Sequence, residues 1–291
     1  MDNFFKRYNV FAIVASGVLW GIIGIFVNAL TKAGIETADA VLIRCTLSAV
    51  VLLVYMLIKE PSKLKIKLRD LWMFLGTGVV SFFVYSSAYF AAIKLTTMAI
   101  AAMLLYTSPI FVMLMSAIFY KERITVKSAV AIGATVAGCA LVCGGARLDG
   151  YPVSGLLWGL LSGFTYALYS IFGRVATKKY HPETVTLYTF VFAGIGALIA
   201  GNPKNVAEII VNTPSVLMPG LGYAVICSVL PYLLYTGGLK YTTPSVAAVT
   251  VCIEPVVAAF VGIAAFKESM TAGTIIGSLL ILGSIFVKNR E

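Results

Sequence analysis

Ser16-Gly17-Val18-Leu19-Trp20-Gly21 recurs as Ser154-Gly155-Leu156-Leu157-Trp158-Gly159, an offset of 138. From Ser16 to Leu30, 8 of 15 positions are identical to their partners in Ser154–Leu168. Further matches run at an offset of 146. Tyr89-x4-Lys94-x-Thr96-Thr97 returns as Tyr235-x4-Lys240-x-Thr242-Thr243, Pro109 falls on Pro255, and Lys121-Glu122 falls on Lys267-Glu268. Such a chain folds as two related units, and a site shared by the units lies on the seam between them.

The units are too apolar for water. The chain has 291 residues, 60% hydrophobic and 12% charged, where a soluble domain carries about 25% charged residues. The apolar residues come in runs of about 20, the length that crosses roughly 30 Å of hydrocarbon. The first run follows Lys6 and Arg7. It is too long for a signal-peptide core and further runs follow it, so it reads as a retained span. The net charge of +10 does not indicate a nucleic-acid partner, because the positive residues sit in short loops between spans.

Ten spans are expected, at about 10–31, 38–58, 70–93, 96–119, 125–144, 152–175, 183–201, 215–239, 243–266 and 271–288. Punctuation such as Glu60-Pro61-Ser62 and Gly201-Asn202-Pro203 separates them. Five spans per repeat is an odd number, so the second repeat enters the membrane upside down. The expected fold is an all-α membrane protein with ten transmembrane helices as two inverted five-helix repeats, 1–146 and 147–291. One set of loops holds 16 Lys and Arg, among them Lys59, Lys63, Lys179 and Lys288, and the other holds 5, among them Arg147 and Lys204. This bias places both termini in the cytoplasm. Internal repeats of this kind mark membrane transporters, with a substrate site near the bilayer midplane between the halves.

Glu254 is the one acid deep inside a predicted span, and Pro255 follows it. Proline removes a backbone donor and frees a carbonyl one turn back, a local break tolerated where a helix lines a cavity. Two roles are open to Glu254: holding a substrate cation or coupling proton, or serving as a structural hydrogen-bond hub. Arg44 is the one base well inside a span. It reads as a structural residue or as an anchor reaching toward the headgroups. Binding a carboxylate or phosphate, or pairing with Asp39, are the alternatives. Trp20, Tyr85, Tyr89, Tyr106, Trp158, Tyr166, Tyr232 and Tyr235 are candidate cavity residues, because small-molecule sites combine apolar walls with a few polar tips. Taken one at a time, each is more commonly a packing residue. Asn28 is the one Asn well inside a span, either a cavity residue or a helix-to-helix hydrogen bond.

Gly133, Gly138, Gly273 and Gly277 permit close helix approach, within the chain or at a homodimer face. The five cysteines read as small apolar residues. No cofactor and no metal site is expected, and the sequence has no HExxH or P-loop pattern. It does not read as an enzyme.

Arg44 with Ala49, Pro109 followed by Lys121-Glu122-Arg123, and Glu254-Pro255-Val256 followed by Lys267-Glu268 together resemble the EamA family of the drug/metabolite transporter superfamily. The likeness covers essentially all ten expected spans, as two EamA repeats. One departure is Lys at 121 and 267, where a small residue is commoner before the Glu. The resemblance implies a ten-helix inverted-repeat bundle with a central cavity and alternating access. It also implies a secondary transporter, most simply an exporter of a small metabolite such as an amino acid, in a bacterial inner membrane. A passive pore and a non-transporting membrane receptor are the rival readings.

Overall fold

The computed structural model describes residues 2–145 and 148–290. The expected repeat boundary at 146–147, and Arg147 with it, lie outside the described residues. In chain order the helices are α1 (Asn3–Lys32), α2 (Asp39–Lys59), α3 (Leu68–Leu95), α4 (Met98–Tyr120), α5 (Val126–Val142), α6 (Val153–Ala176), α7 (Pro182–Ile199), α8 (Pro214–Leu239), α9 (Pro244–Phe266) and α10 (Ala272–Lys288). Eight are long and apolar enough to cross a membrane; α5 and α10 are apolar but shorter, 17 residues each. Ile118, Val126, Met218 and Leu279 are all exposed, the surface expected of a protein solvated by lipid rather than water.

The repeat extends to the irregularities. In α4 the helix stops at Tyr106 (φ −73°, ψ 6°) and restarts at Ser108-Pro109. In α9 it stops at Cys252 (φ −67°, ψ 7°), 146 residues later, and restarts at Ile253-Glu254-Pro255. Pro109 and Pro255 cannot donate to the carbonyls of Leu105 and Val251. Each of these carbonyls faces a bare glycine of the other repeat's first helix, and the Val251 carbonyl also accepts from Glu254 N at 3.0 Å. A Cβ on Gly17 would stand 2.8 Å from Val251 O, and one on Gly163 would stand 3.2 Å from Leu105 O. Thr97 and Thr243 accept hydrogen bonds from the amides of Ile100 and Val246 at the starts of α4 and α9, the ordinary threonine N-cap. Both α3 and α8 carry a stretch of wider π-helix, Gly76–Phe83 and Val225–Val229.

Packing obeys the same exchange. α1 lies chiefly against α8, and α6 chiefly against α3; α1 also packs on α9, and α6 on α4. α2 pairs with α7 and α5 with α10, again across the repeats. In the α5–α10 pair the helices touch backbone to backbone: a Cβ on Gly138 would lie 2.8 Å from Gly277 O. Gly138 and Gly277 are therefore used inside the chain, while Gly133 faces open space.

The loops at the two ends are fastened differently. At the end where α2 finishes, Lys63 Nζ reaches Glu60 at 3.2 Å and Glu183 at 3.3 Å, and Lys179 reaches Asp70 at 2.8 Å. Tyr180 donates to Asp70 at 2.8 Å, and Thr184 to the Lys63 carbonyl at 2.8 Å. These bonds clasp the α2–α3 connection to the α6–α7 connection. Burial alone would lower the Lys63 ammonium's pKa; the facing Glu183 and Glu60 carboxylates more than offset it and raise it above its ordinary value. At the opposite end Asp39 accepts from Asn202 N at 2.8 Å and from Asn205 Nδ2 at 3.2 Å. There a short helix, Pro203–Asn212, stands where the sequence reading has only a loop. Asn202 caps it and Val206, Ile209 and Ile210 turn inward, the one-sided pattern of a surface helix.

Candidate functional site

Four helices, two from each repeat, converge on an aromatic cavity. Trp20 comes from α1, Ser81 and Tyr85 from α3, Tyr166, Tyr169 and Ser170 from α6, and Tyr232 and Tyr235 from α8. The rings meet edge to face: Trp20–Tyr232 at 5.1 Å, Tyr169–Tyr232 at 5.1 Å and Tyr85–Tyr166 at 5.3 Å between centroids. This is the favoured geometry for aromatic quadrupoles. Hydroxyl pairs hold two of the tyrosines, Tyr169 with Thr236 at 2.7 Å and Tyr235 with Ser170 at 2.6 Å. The cavity volume is about 10 Å³, room for about one water.

Arg44 approaches the cluster from α2. Its Nε donates to Ser228 Oγ at 2.6 Å and its Nη2 to the Cys227 carbonyl at 3.0 Å. Both residues lie in the π-helix of α8, where the wide turn strains the usual backbone pairing. Ser48, one turn further along α2, donates to the Ala224 carbonyl at 3.2 Å. Thus α2 supplies the donors that the π-helix carbonyls need. The guanidinium also stacks near the rings of Phe82 (5.0 Å), Tyr223 (5.1 Å) and Tyr232 (5.8 Å), a cation–π environment. Among the described residues no carboxylate lies within ion-pair distance of it.

Glu254 occupies the restart of α9. Its carboxyl group lies near Tyr106, which stands at the matching break in α4, and within electrostatic range of Arg44. Tyr85, Tyr89, Tyr106 and Tyr166 lie near enough to feel its charge. All of these side chains are half-buried. Tyr85 and Tyr166 also line the aromatic cavity.

The structure gathers Trp20, Tyr85, Tyr166, Tyr232 and Tyr235 around the cavity, sets Tyr89, Tyr106 and Glu254 beside it, and puts Arg44 behind Tyr232. Trp158 does not join them. It is 41% exposed, whereas Trp20 is 6% exposed. Beside Trp158, Gly155 faces Leu95 and Thr96 at the end of α3 and Gly159 faces Leu104 of α4, which turns the ring to the outside. Asn28 is half-buried in the last part of α1, beyond the helix break at Ile22, and does not line the cavity. The suggested Arg44–Asp39 pair is not formed, because Asp39 is engaged by Asn202 and Asn205. Nor is Arg44 a headgroup anchor: it is 4% exposed and bonded inward. Ser228, Cys227, Phe82 and Tyr223, which hold Arg44, carry no signal in the sequence pattern beyond being polar or aromatic within a span.

Two helices from each half thus line one polar-aromatic space. The pattern that defines the EamA-like transporter family matches residues 7–144 and again 153–290. The chain belongs to the EamA-like transporter family and is a multi-pass membrane protein. It is 29% identical over 297 residues to an uncharacterized transporter of Archaeoglobus fulgidus, covering 98% of this chain and 97% of that one. It is 29% identical over 288 residues to the pseudopaline exporter CntI of Pseudomonas aeruginosa, covering 97% of this chain and 98% of that one. A solved crystal structure superposes with a TM-score of 0.80 over 98% of both chains at 17% identity, which bears on the fold.

Proposed function

We propose that the chain is a secondary transporter that exports a small organic metabolite, such as an amino acid, by alternating access through the cavity between its halves. The observation that carries this reading is the cavity's lining, drawn from α1, α3, α6 and α8. A site built equally from both repeats changes its exposure when one repeat rocks against the other. The matched breaks at Tyr106 and Cys252 give that motion two hinges. Kinship with a pseudopaline exporter supports the outward direction. A continuous wet pathway would favour a passive pore; a cavity of about 10 Å³ favours a carrier.

The reading takes α5 and α10 as spans alongside the eight longer helices. At 1.5 Å per residue a 17-residue helix reaches about 25 Å, the short end of the spanning range. Five spans per repeat then give an inverted pair, 1–146 and 147–291, in a bacterial inner membrane with both termini cytoplasmic. The ionic clasp at the end of α2 falls on the Lys- and Arg-rich cytoplasmic side.

The test is a solute screen on proteoliposomes, with and without an imposed pH gradient. Saturable, counterflow-competent movement of at least one metabolite is expected. Movement that never saturates and shows no exchange rejects the carrier.

A further inference from the structure

Trp20 is buried, its ring lines the cavity, and its Nε1 has no hydrogen-bond partner. Native proteins rarely leave such a donor open, and each instance asks for an explanation. Two of its neighbours are bonded, Tyr169 to Thr236 and Tyr235 to Ser170. The ring of Tyr232 touches both Trp20, at 5.1 Å between centroids, and Arg44, at 5.8 Å. Arg44 is a permanent cation that contacts a serine hydroxyl, a backbone carbonyl and three aromatic faces, all neutral, with Glu254 within electrostatic range but not paired to it. Neutral partners solvate a guanidinium without cancelling its field.

We infer that the cavity is an acid-binding site, in which a substrate carboxylate accepts a hydrogen bond from Trp20 Nε1 while Arg44, behind Tyr232, supplies the opposing charge. The inference rests on the cavity being the transport site. The aromatic walls by themselves would suit an ammonium group. Here the faces of Phe82, Tyr223 and Tyr232 are already taken by Arg44, and a second cation beside them would be repelled. An open N–H and one fixed charge match a carboxylate.

The chain has 3 tryptophans, and Trp72 and Trp158 are exposed. In a Trp72→Phe, Trp158→Phe background, the emission of Trp20 reports directly on the cavity. The purified protein in nanodiscs is titrated with pairs of probes: α-amino acids and simple aromatic and aliphatic monocarboxylates, each beside its own carboxamide. A hydrogen bond to a charged acceptor is stronger than one to a neutral acceptor. At least one acid should change Trp20 emission with an apparent Kd about tenfold or more below that of its carboxamide. Trp20→Phe keeps a ring and removes the N–H. Followed by ligand-induced shift of Tm, it should shrink the preference to under about threefold. Equal binding of acid and carboxamide, or a full preference surviving in Trp20→Phe, overturns the carboxylate subsite and leaves the cavity reading intact. No response from any pair, by emission or by Tm, overturns both. If Trp20→Phe does not fold, the comparison of acid with carboxamide in the Trp20-only background decides alone.

Discussion

Lys121 and Lys267, 146 residues apart, hold the same left-handed backbone conformation, with φ 56° and 58°. Each ends a helix in the same way, with the next amide returning to the carbonyl of Ser116 (3.3 Å) or Gly262 (3.1 Å). This is the helix stop in which glycine is usual. A residue with a Cβ pays about 1–2 kcal/mol there.

Lys121→Gly and Lys267→Gly should therefore each stabilise the protein by about 1 kcal/mol. Lys121→Ala should bring no comparable gain, since alanine keeps the Cβ. The unfolding midpoint in mild detergent measures all three.

Arg44→Lys should destabilise by about 1–3 kcal/mol, although the charge is kept. One ammonium cannot reproduce the planar fork that reaches both Ser228 Oγ and the Cys227 carbonyl. Ser228→Ala should cost less, and the double variant should cost less than the sum, because the two residues share one bond. Strict additivity in thermal unfolding would show that Arg44 does not brace the π-helix.

Gly277→Ala and Gly133→Ala form a matched pair. A Cβ at Gly277 would stand 2.5 Å from the Gly138 carbonyl oxygen, whereas one at Gly133 meets nothing within 4 Å. Overpacking against backbone costs about 1–3 kcal/mol, so Gly277→Ala should lower the Tm. Gly133→Ala should leave it unchanged or raise it through helix propensity. Thermal scans of the two variants beside wild type check this.

The Lys63 clasp predicts a pH dependence with a definite sign. A lysine whose pKa is raised on folding contributes stability that is fully present below its ordinary value of 10.5. The contribution is lost as the pH climbs through the raised value. Lys63→Ala should cost about 1–3 kcal/mol at neutral pH by leaving the buried Glu183 without its cation. It should also flatten the alkaline decline above 10.5. Denaturation followed from pH 7 to pH 12 tests both parts.

The helices were legible in the sequence because lipid imposes a length and a polarity on each of them. The break in α9 was legible from Pro255, and the matching break in α4 follows from the repeat register that sets Pro109 on Pro255. The short helix Pro203–Asn212 was missed, since Gly201-Asn202-Pro203 reads equally as a loop and as a capped helix start. Trp158 was misplaced because its match to Trp20 is real in sequence and not in environment. One ring faces the seam between the repeats and the other faces outward. The π-helices Gly76–Phe83 and Val225–Val229 left no pattern at all, and the donors from α2 at the second of them, Arg44 to the Cys227 carbonyl and Ser48 to the Ala224 carbonyl just before it, come from far away in sequence. Periodicity within one helix does not record what a distant helix will supply. Tyr169 and Ser170 lie on a helix already suspected, but only packing showed which of its faces meets the cavity.

Because each helix leans on the opposite repeat, the order of synthesis acquires a meaning. Arg44 leaves the ribosome 184 residues before Ser228, the group that receives its Nε proton. At about 5–20 residues per second that interval is on the order of 10–40 s. Throughout it the guanidinium has the Phe82 ring of its own repeat but neither of its hydrogen-bond acceptors, Ser228 and the Cys227 carbonyl. The first repeat is thus an assembly intermediate that must be kept wet or chaperoned until α8 arrives, and a chain that stops after α5 carries a charge it has no means to settle.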